Sequence, residues 1–428
     1  MMIERQQGFT LIELMIAMVI FLLAISAASN MFSGLLNQFK QQAKIAETNI
    51  KGIAGLELLR FDIEQAGYGL PWNVDADADG SADNDWSGIV DYCEAKSIAA
   101  LSPNPALFND GNTLCPGGVT GGNAPRAILS DDNAGFHGSD YLVVKSTTIA
   151  LNRAAQKWTY IKNNGLNNNF MIPFTSKEED LNNDDDGVDD SVIVLMPLKG
   201  TARRILLTDN SVTSTFFGTF NANANAFKTN YPDFVPPDYS FLAYLIYGVD
   251  TNTNLRMPFN RADYYISTAR VPLRCADAAS GTGILVKAIV SHDDGDFDLP
   301  PDDNVPDLLP LLDCVADMQV IYRLDTDGDG AADSPASDIV TALSLTAEEI
   351  REQVKEVRVY ILAHEGQYDP TYTFSNFTGT DTCPTCIRVG EKIGTVLYGQ
   401  DYDLSAINDY LNYRWRVYTL VIKPYNLT

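Results

Sequence analysis

The N-terminal thirty residues constrain this chain most, because they contain an apolar run long enough to cross a bilayer. From Phe9 to Ala28 nearly every residue is apolar and none is proline. Twenty helical residues span about 30 Å, the thickness of a hydrocarbon core. Glu13 interrupts the run, and an ionised carboxylate in hydrocarbon costs on the order of 2.5 to 3.5 kcal/mol. A purely structural anchor does not need this residue, so Glu13 indicates a function.

An ordinary secretory signal peptide is the simplest alternative for this segment. Arg5 supplies a positive charge before the run, and small residues near Ser26 to Ala28 offer a cleavage site. Two features argue against it. A disposable signal has no reason to keep Glu13, and the helical pattern continues past the cleavage site.

Beyond the apolar run, apolar residues recur at steps of three and four, which is the pattern of one helix face. Gly67, Gly69 and Pro71 end the pattern. The sequence therefore predicts one helix from about Phe9 to about Ala66. The predicted face consists of Leu36, Phe39, Ala43, Ala46, Ile50, Ile53, Leu56, Leu59 and Ile63.

The stretch Gly8-Phe9-Thr10-Leu11-Ile12-Glu13 resembles the processing motif of type IV prepilins and of the pseudopilins of type II secretion. In those families a membrane aspartyl peptidase cleaves after the glycine, and the new N-terminal residue is methylated. The resemblance implies cleavage after Gly8, N-methylation of Phe9, and Glu13 as the fifth mature residue. The Phe9 amine would pair with Glu13 of a neighbouring subunit, because either charge left alone in low dielectric is costly.

Three further stretches resemble minor pilins of the PilW type. They are LRFDIEQAGYG (59–69), which closes the helix, the segment 311–334, and YRWRVYTLVIKPYN (413–426). We therefore expect four parts in the chain. These are a leader (1–8), the transmembrane half of a spine helix (9–30), its amphipathic half (31–70) and a β-rich globular head (71–428).

The head consists mainly of short segments rich in β-branched and aromatic residues, which are typical of strands. One helix is predicted at Thr346–Lys355, where Thr346 and Glu349 can form a capping box. The predicted fold class is α+β, with the long spine helix packed on an antiparallel β-sheet head with large loop insertions. The predicted strands are Tyr141–Thr147, Ser191–Met196, Arg204–Leu207, Phe241–Gly248, Tyr264–Thr268, Ile284–Val290, Met318–Leu324, Val357–Ala363 and Trp415–Ile422.

The charge of the chain is strongly acidic and unevenly spread. The 428 residues include 30 Lys and Arg against 56 Asp and Glu, a net charge of −26. This balance argues against nucleic acid as a partner, because duplex binding requires basic groups that neutralise phosphates. Four aspartate clusters carry most of the excess: 75, 77, 79, 83 and 85; 184, 185, 186, 189 and 190; 293, 294, 296, 298, 302 and 303; 325, 327, 329 and 333.

Three of these clusters share one template, in DADADGSAD (75–83), NNDDDGVDD (182–190) and DTDGDGAAD (325–333). Acidic or amide oxygens stand at positions 1, 3, 5 and 9, and glycine stands at position 6. Alternate side chains on such a turn converge on one centre, which suits calcium. Without a Glu at position 12, affinity should lie near roughly 10⁻⁴–10⁻³ M. The alternative is a set of solvated turns. The predicted ligands are Asp75, Asp77, Asp79, Asp83, Asn182, Asp184, Asp186, Asp190, Asp325, Asp327, Asp329 and Asp333.

Six cysteines are an even number, and disulfides are expected if the head lies outside the cytoplasm. Pairing by proximity in the sequence would join Cys93 to Cys115, Cys275 to Cys314 and Cys383 to Cys386. The last pair reads Cys-Pro-Thr-Cys and could instead be redox-active or bind a metal.

Catalytic motifs are missing from the sequence. His137, His292 and His364 are isolated, and no phosphate-binding glycine loop is present. The sequence predicts no enzymatic activity.

The resemblance implies a minor pilin that is processed by prepilin peptidase, primes assembly and sits at or near the pilus tip. Its partners would be other major and minor pilins and a large tip adhesin. It would reside in the inner membrane before assembly and in the extracellular pilus afterwards. Two alternatives stay open: a minor pseudopilin of a type II secretion system, and a secreted calcium-binding surface protein with a cleaved signal peptide.

Overall fold

The structure is a computed structural model of the whole chain. It describes residues 10–74, 93–99, 101–111, 123–165, 169–171, 181, 190–198, 203–209, 214–221, 223–251, 254–297, 308–333, 345–379 and 382–427.

The spine is a single helix, α1, at Leu11–Glu64. Its N-terminus is closed by a capping box in which Thr10 and Glu13 bond each other's backbone amides. Its end coincides with the predicted glycines, because Gly67 and Gly69 adopt φ values of 82° and 69°. A side chain is strained in that region, and glycine is not.

Apart from short 3₁₀ turns, the other elements of the described residues are two short α-helices and eighteen strands. The helices are α2 at Ala224–Asn230 and α3 at Ala347–Gln353. The strands are β1 Asn73–Val74, β2 Ile128–Asp131, β3 Tyr141–Ser146, β4 Trp158–Asn163, β5 Asn169–Met171, β6 Ser191–Pro197, β7 Arg203–Ile205, β8 Thr208–Asp209, β9 Ser214–Thr215, β10 Phe217–Thr219, β11 Ala243–Asp250, β12 Asn260–Ser267, β13 Gly283–Ile289, β14 Leu309–Leu324, β15 Val354–Glu365, β16 Cys386–Ile393, β17 Val396–Asp403 and β18 Arg414–Ile422.

Seven strands form the spine sheet, in the order β18-β15-β14-β13-β12-β3-β2. Every neighbouring pair in it is antiparallel. Helix α1 packs against β14, β15 and β18 of this sheet. The predicted α+β architecture, a spine helix on an antiparallel sheet, is confirmed.

A second sheet of seven strands is built mainly from the chain between β3 and β12. Its order is β1-β7-β6-β11-β4-β5, with β10 paired to β6. The β1–β7 pair is parallel and the other pairs are antiparallel. The prediction of one sheet is therefore incomplete, because the sequence between β3 and β12 forms a lobe with a sheet of its own.

Three apolar clusters lie between these layers. The largest joins α1, the spine sheet and one face of the second sheet. A second lies between the spine sheet and the β16–β17 hairpin, and a third packs α2 on the far face of the second sheet. The interior strands of the spine sheet are therefore buried on both faces, and they enclose polar as well as apolar residues, as in β12, where every residue is buried.

The predicted strands coincide with strands of the structure, with shifts at their ends. The largest shift is in β14, which begins nine residues before the predicted Met318–Leu324 strand. Helix α3 has the predicted capping box between Thr346 and Glu349. The β16–β17 hairpin, β2, β4 and α2 lack a corresponding prediction, because their apolar residues are few and interrupted by Gly, Asn and charged residues.

Candidate functional site

The N-terminus of α1 presents the Glu13 carboxylate beside the first backbone amides of the helix. Glu13 Oε2 accepts hydrogen bonds from the Thr10 backbone N and from Thr10 Oγ1, both at 2.9 Å. Within one subunit, Glu13 is thus satisfied by its own helix terminus. Gly8 and Phe9, the predicted processing residues, lie outside the described residues.

The first half of α1 has no partner among the described residues of the head. Among these residues, Leu11–Ala46 is the one helical stretch that is long and apolar enough to cross a membrane, by length and composition. Its large apolar side chains are exposed all round, from Leu11 to Phe39. Such a surface requires lipid or other apolar helices around it.

The second half of α1 docks on the head through a face shifted from the predicted one. Leu56, Leu59 and Ile63 are buried as the periodicity predicts. The prediction that Ile50 and Ile53 lie on the buried face is wrong, because their side chains are 71% and 58% exposed. The contacting face is rotated from the predicted stripe and includes Ile45, which is half-buried against Gly366 after β15, as well as Gly52. The exposed isoleucines remain available to other molecules.

Two glycines allow α1 to approach β14 closely. A Cβ on Gly52 would lie 2.7 Å from Leu312 Cδ1, the end of a flexible side chain. A Cβ on Gly55 would collide with the backbone carbonyl of Leu311. The two glycines are three residues apart, so they lie on the same helix face, and that face contacts the strand directly.

A buried ion pair fixes the register of α1 on the spine sheet. Asp62 Oδ2 lies 2.7 Å from Lys287 Nζ on β13 and accepts a hydrogen bond from the Tyr264 hydroxyl on β12 at 2.6 Å. Burial raises the pKa of Asp62 and lowers the pKa of Lys287, and each charge offsets part of the shift of the other. Because an unpaired buried charge is costly, the pair favours one axial position of the helix.

A larger buried network ties the segments 93–99, 101–111 and 123–127 to the spine sheet. Lys145 Nζ on β3 lies 2.6 Å from Glu94 Oε2 and 2.6 Å from Asp110 Oδ2. Arg261 on β12 binds Glu94 Oε2 at 3.1 Å and Asp263 Oδ1 at 2.7 Å. The positive neighbours Lys145 and Arg261 outweigh burial and lower the pKa of Glu94 to about 2. These segments are therefore an integral part of the head.

The loop 325–333 gathers three of its predicted metal ligands. Carboxylate oxygens of Asp325, Asp327 and Asp333 all lie within 4.8 Å of one another. Asp325 is also held by the backbone amides of Gly328 and Gly330, at 2.7 and 2.9 Å. The donor set is all oxygen and predominantly anionic, which fits a hard cation such as calcium. Asp329 instead accepts from the Ala331 amide at 2.7 Å.

The other two predicted calcium loops cannot be compared in the same way. Asp75, Asp77, Asp79 and Asp83 lie outside the described residues, as do Asn182, Asp184 and Asp186. Asp190 is described and buried, with one carboxylate oxygen 3.6 Å from Lys157 Nζ.

Two disulfides are present among the described residues, Cys275–Cys314 and Cys383–Cys386. They are the pairs that proximity in the sequence favours. Cys383 and Cys386 are bonded to each other, so the Cys-Pro-Thr-Cys segment offers no free thiol in this structure. Cys115, the predicted partner of Cys93, lies outside the described residues.

Two of the histidines are buried and neutral. His292 accepts from the Arg256 amide at 3.3 Å, and burial lowers its pKa to about 4. His364 Nε2 accepts from the Ala276 amide at 2.9 Å, and burial lowers its pKa to about 3. Both satisfy backbone groups of the head. His137 is exposed, in the turn before β3.

The docking residues Gly55, Asp62 and Lys287 were not identified from the sequence. Two signals in the helix could have indicated them: a glycine pair three residues apart, and a lone aspartate between the apolar positions 59 and 63. The partner Lys287 is 225 positions away in sequence. Only the sheet order brings the two together.

Comparison with known proteins gives one sequence match, at the N-terminus. Residues 4–29 match the model of the prokaryotic N-terminal methylation motif. No curated protein matches the chain. A solved type IV-like pilin from Thermus thermophilus aligns over 56% of this chain and 87% of its own, with 10% identity and a TM-score of 0.20. A similarity that small has no bearing on how the head is built.

Proposed function

The chain carries the N-terminal methylation motif of the type IV pilin superfamily, and on that premise we propose that it is a minor pilin of the PilW type. Prepilin peptidase removes residues 1–8, and Phe9 becomes the methylated N-terminus. The match at residues 4–29 supports this proposal most strongly. The exposed apolar half of α1, continuous with a helix docked on a folded head, is consistent with it.

Assembly follows from the two environments of α1. Before assembly the apolar half lies in the inner membrane, and in the filament other pilin helices replace the lipid. Glu13, capped by Thr10 within the subunit, exchanges this local partner for the Phe9 amine of a neighbour. An ion pair in low dielectric is stronger than a hydrogen bond between an ion and an amide, so the exchange favours one axial register.

The size of the head favours a position at the tip. A globule of residues 71–428 has a radius of gyration of roughly 20 Å, and its second sheet adds a lobe beyond the spine sheet. Such heads would crowd each other along a shaft, whereas one copy at the tip has open space. There the chain would prime assembly with other minor pilins and support a large tip adhesin.

Calcium is the cofactor that we propose for the loop 325–333. The convergence of Asp325, Asp327 and Asp333 supports it. The role would be structural. A divalent cation would offset the repulsion of the three carboxylates and fix the turn that leaves β14.

The tip proposal is tested by deleting the gene and by labelling the head. Loss of the chain should reduce the number of pili per cell, and complementation should restore it. Gold particles against a head epitope should mark filament ends, at one or a few per pilus. Label spread along the shaft would rule out the tip position and leave the pilin class untouched.

The two alternative functions predict different experimental results. A pseudopilin of type II secretion would be needed for export of secreted enzymes and not for surface pili. A secreted calcium-binding protein would start near Ser29 and would not be retained in the membrane. Assays of secretion and of pilus number in one deletion strain separate the first alternative from the proposal.

A further inference from the structure

A closed set of hydrogen bonds joins three parts of the head beneath the β16–β17 hairpin. The Gly138 carbonyl, in the turn 131–140 that leads into β3, accepts from Gln319 Nε2 on β14 at 3.1 Å and from Gln400 Nε2 on β17 at 3.0 Å. The Gln319 amide also donates to Asp317 Oδ1 at 3.0 Å, so the Asp317 carboxyl orients the amide that holds the turn. Asp317 therefore takes part in holding the turn and the hairpin on β14.

Asp140 joins the same turn to the same strand. Its Oδ2 accepts from the Val320 amide at 2.7 Å, and its Oδ1 accepts from the Asn133 amide at 3.0 Å. Its own amide donates to the Met318 carbonyl at 2.8 Å. The turn thus contacts β14 through both the backbone and the side chain of Asp140.

Both carboxyl groups are buried, and none of the basic side chains that the structure describes pairs with them. Asp140 and Asp317 are fully buried, and among the described residues no Lys, Arg or His nitrogen lies within 4.0 Å of either. In the hairpin, Arg388 is bound to Asp401 at 3.0 Å instead. The other ionisable groups that interact with the pair are all acids: Asp132 from the turn, Tyr322 from β14 and Tyr402 from the hairpin.

We propose that Asp140 and Asp317 form a proton-dependent latch, in which the turn 131–140 and the β16–β17 hairpin are held on β14 by the protonated carboxyl groups and loosen as these groups ionise. Asp317 Oδ2 and Gln319 Oε1 are both buried without a hydrogen-bond partner. A proton on Asp317 would turn one of these two acceptors into a donor. Ionisation would instead place two buried negative charges beside Asp132.

The direction of the pH effect follows from the two protonation states. Burial raises the pKa of Asp140 to about 8 and the pKa of Asp317 to about 7, whereas an unfolded aspartate titrates near about 3.9. Between these values the closed form binds more protons than the open form. The stability of the contact therefore falls as the pH rises from about 4 towards 8, and it is constant above that range.

Hydrogen exchange on the full-length protein in detergent, at a fixed calcium concentration, tests the latch. Protection of peptides from 131–140 and 386–403 should fall between pH 5 and 7, by about tenfold per pH unit for each carboxyl group that ionises on opening. Asp317→Asn, which mimics the neutral acid, should remove one group's share of that slope. Asp140→Asn should remove the other, and the exposed Asp233→Asn should keep the wild-type slope.

Several outcomes would overturn the proposal. One is protection that does not change with pH in the wild type, after correction for intrinsic exchange. Another is an unchanged slope in Asp317→Asn. If Asp317→Asn fails to fold, the pH dependence of protection in the wild type and in Asp140→Asn still tests the proposal. Peptides from α1 near Leu56 provide an internal reference, because the latch does not touch them.

Discussion

At the residue scale, Gly55 and Asp62 control how the spine helix sits on the head. Gly55 acts through the space that it leaves, since β14 passes where a side chain would stand. Asp62 acts through charge, since it meets Lys287 in a site with little water. Sequence alone shows the residue types but not their partners, because both contacts depend on which strand lies beneath the helix.

Gly55→Ala should destabilise the head by roughly 1–3 kcal/mol, because the new methyl group collides with the Leu311 carbonyl and α1 must move outward. Gly34→Ala is the matched control, since nothing lies within 4 Å of its Cβ. The control should be neutral or slightly stabilising. Thermal unfolding of the full-length protein in detergent measures both. Equal melting temperatures for the two variants would contradict the close packing of α1 on β14.

Asp62→Asn should cost about 3–5 kcal/mol, because it leaves the Lys287 ammonium buried without a counter-charge. Arg60→Ala, two residues away on the exposed side, removes a pair with Glu64 and should cost less than about 1 kcal/mol. Chemical denaturation of both variants gives the comparison. Similar losses would show that the Asp62 pair does not fix the helix.

At the element scale, α1 shows which features of a helix can be predicted from its sequence pattern and which cannot. Its length and capping follow from periodicity, Thr10 and the terminal glycines, all of which are local. The face that it buries does not follow, because Ile50 and Ile53 fit the apolar stripe as well as Leu56 does. The head extends past those isoleucines to Ile45, but along a different face of the helix, and that face is set by distant strands. The second sheet was missed for a similar reason: three of its strands, β6, β7 and β11, were predicted, but a strand pattern does not show which strands pair.

The acidic loop after β14 gives a prediction at the same scale. In chelator-treated protein, millimolar calcium should raise the melting temperature, because it offsets repulsion among Asp325, Asp327 and Asp333. Asp327→Asn should reduce that gain and lower the number of calcium ions bound. Asp293→Asn, in an acidic stretch without the template, should leave both unchanged. A calcium response that is the same in all three proteins would show that this loop is a solvated turn.

At the scale of the whole molecule, an apolar helix and a large acidic head are joined without a flexible linker. Helix α1 is continuous from Leu11 to Glu64, and its last turns belong to the main core of the head. A force or a displacement at the membrane end is therefore transmitted directly to the head. The buried network of Glu94 and Asp110 extends that rigidity to the segments around these two residues. Such a body suits assembly into a filament better than release as a free secreted protein.

The central claim is that residues 1–8 are a prepilin leader, and the N-terminal peptide of the membrane-extracted protein tests it most directly. Mass spectrometry should be carried out on cells with and without prepilin peptidase. We predict an N-methylated Phe9 terminus that requires the peptidase, and the uncleaved leader when the peptidase is absent. A terminus near Ser29 that forms without the peptidase would contradict the pilin account and favour a secreted β-rich protein.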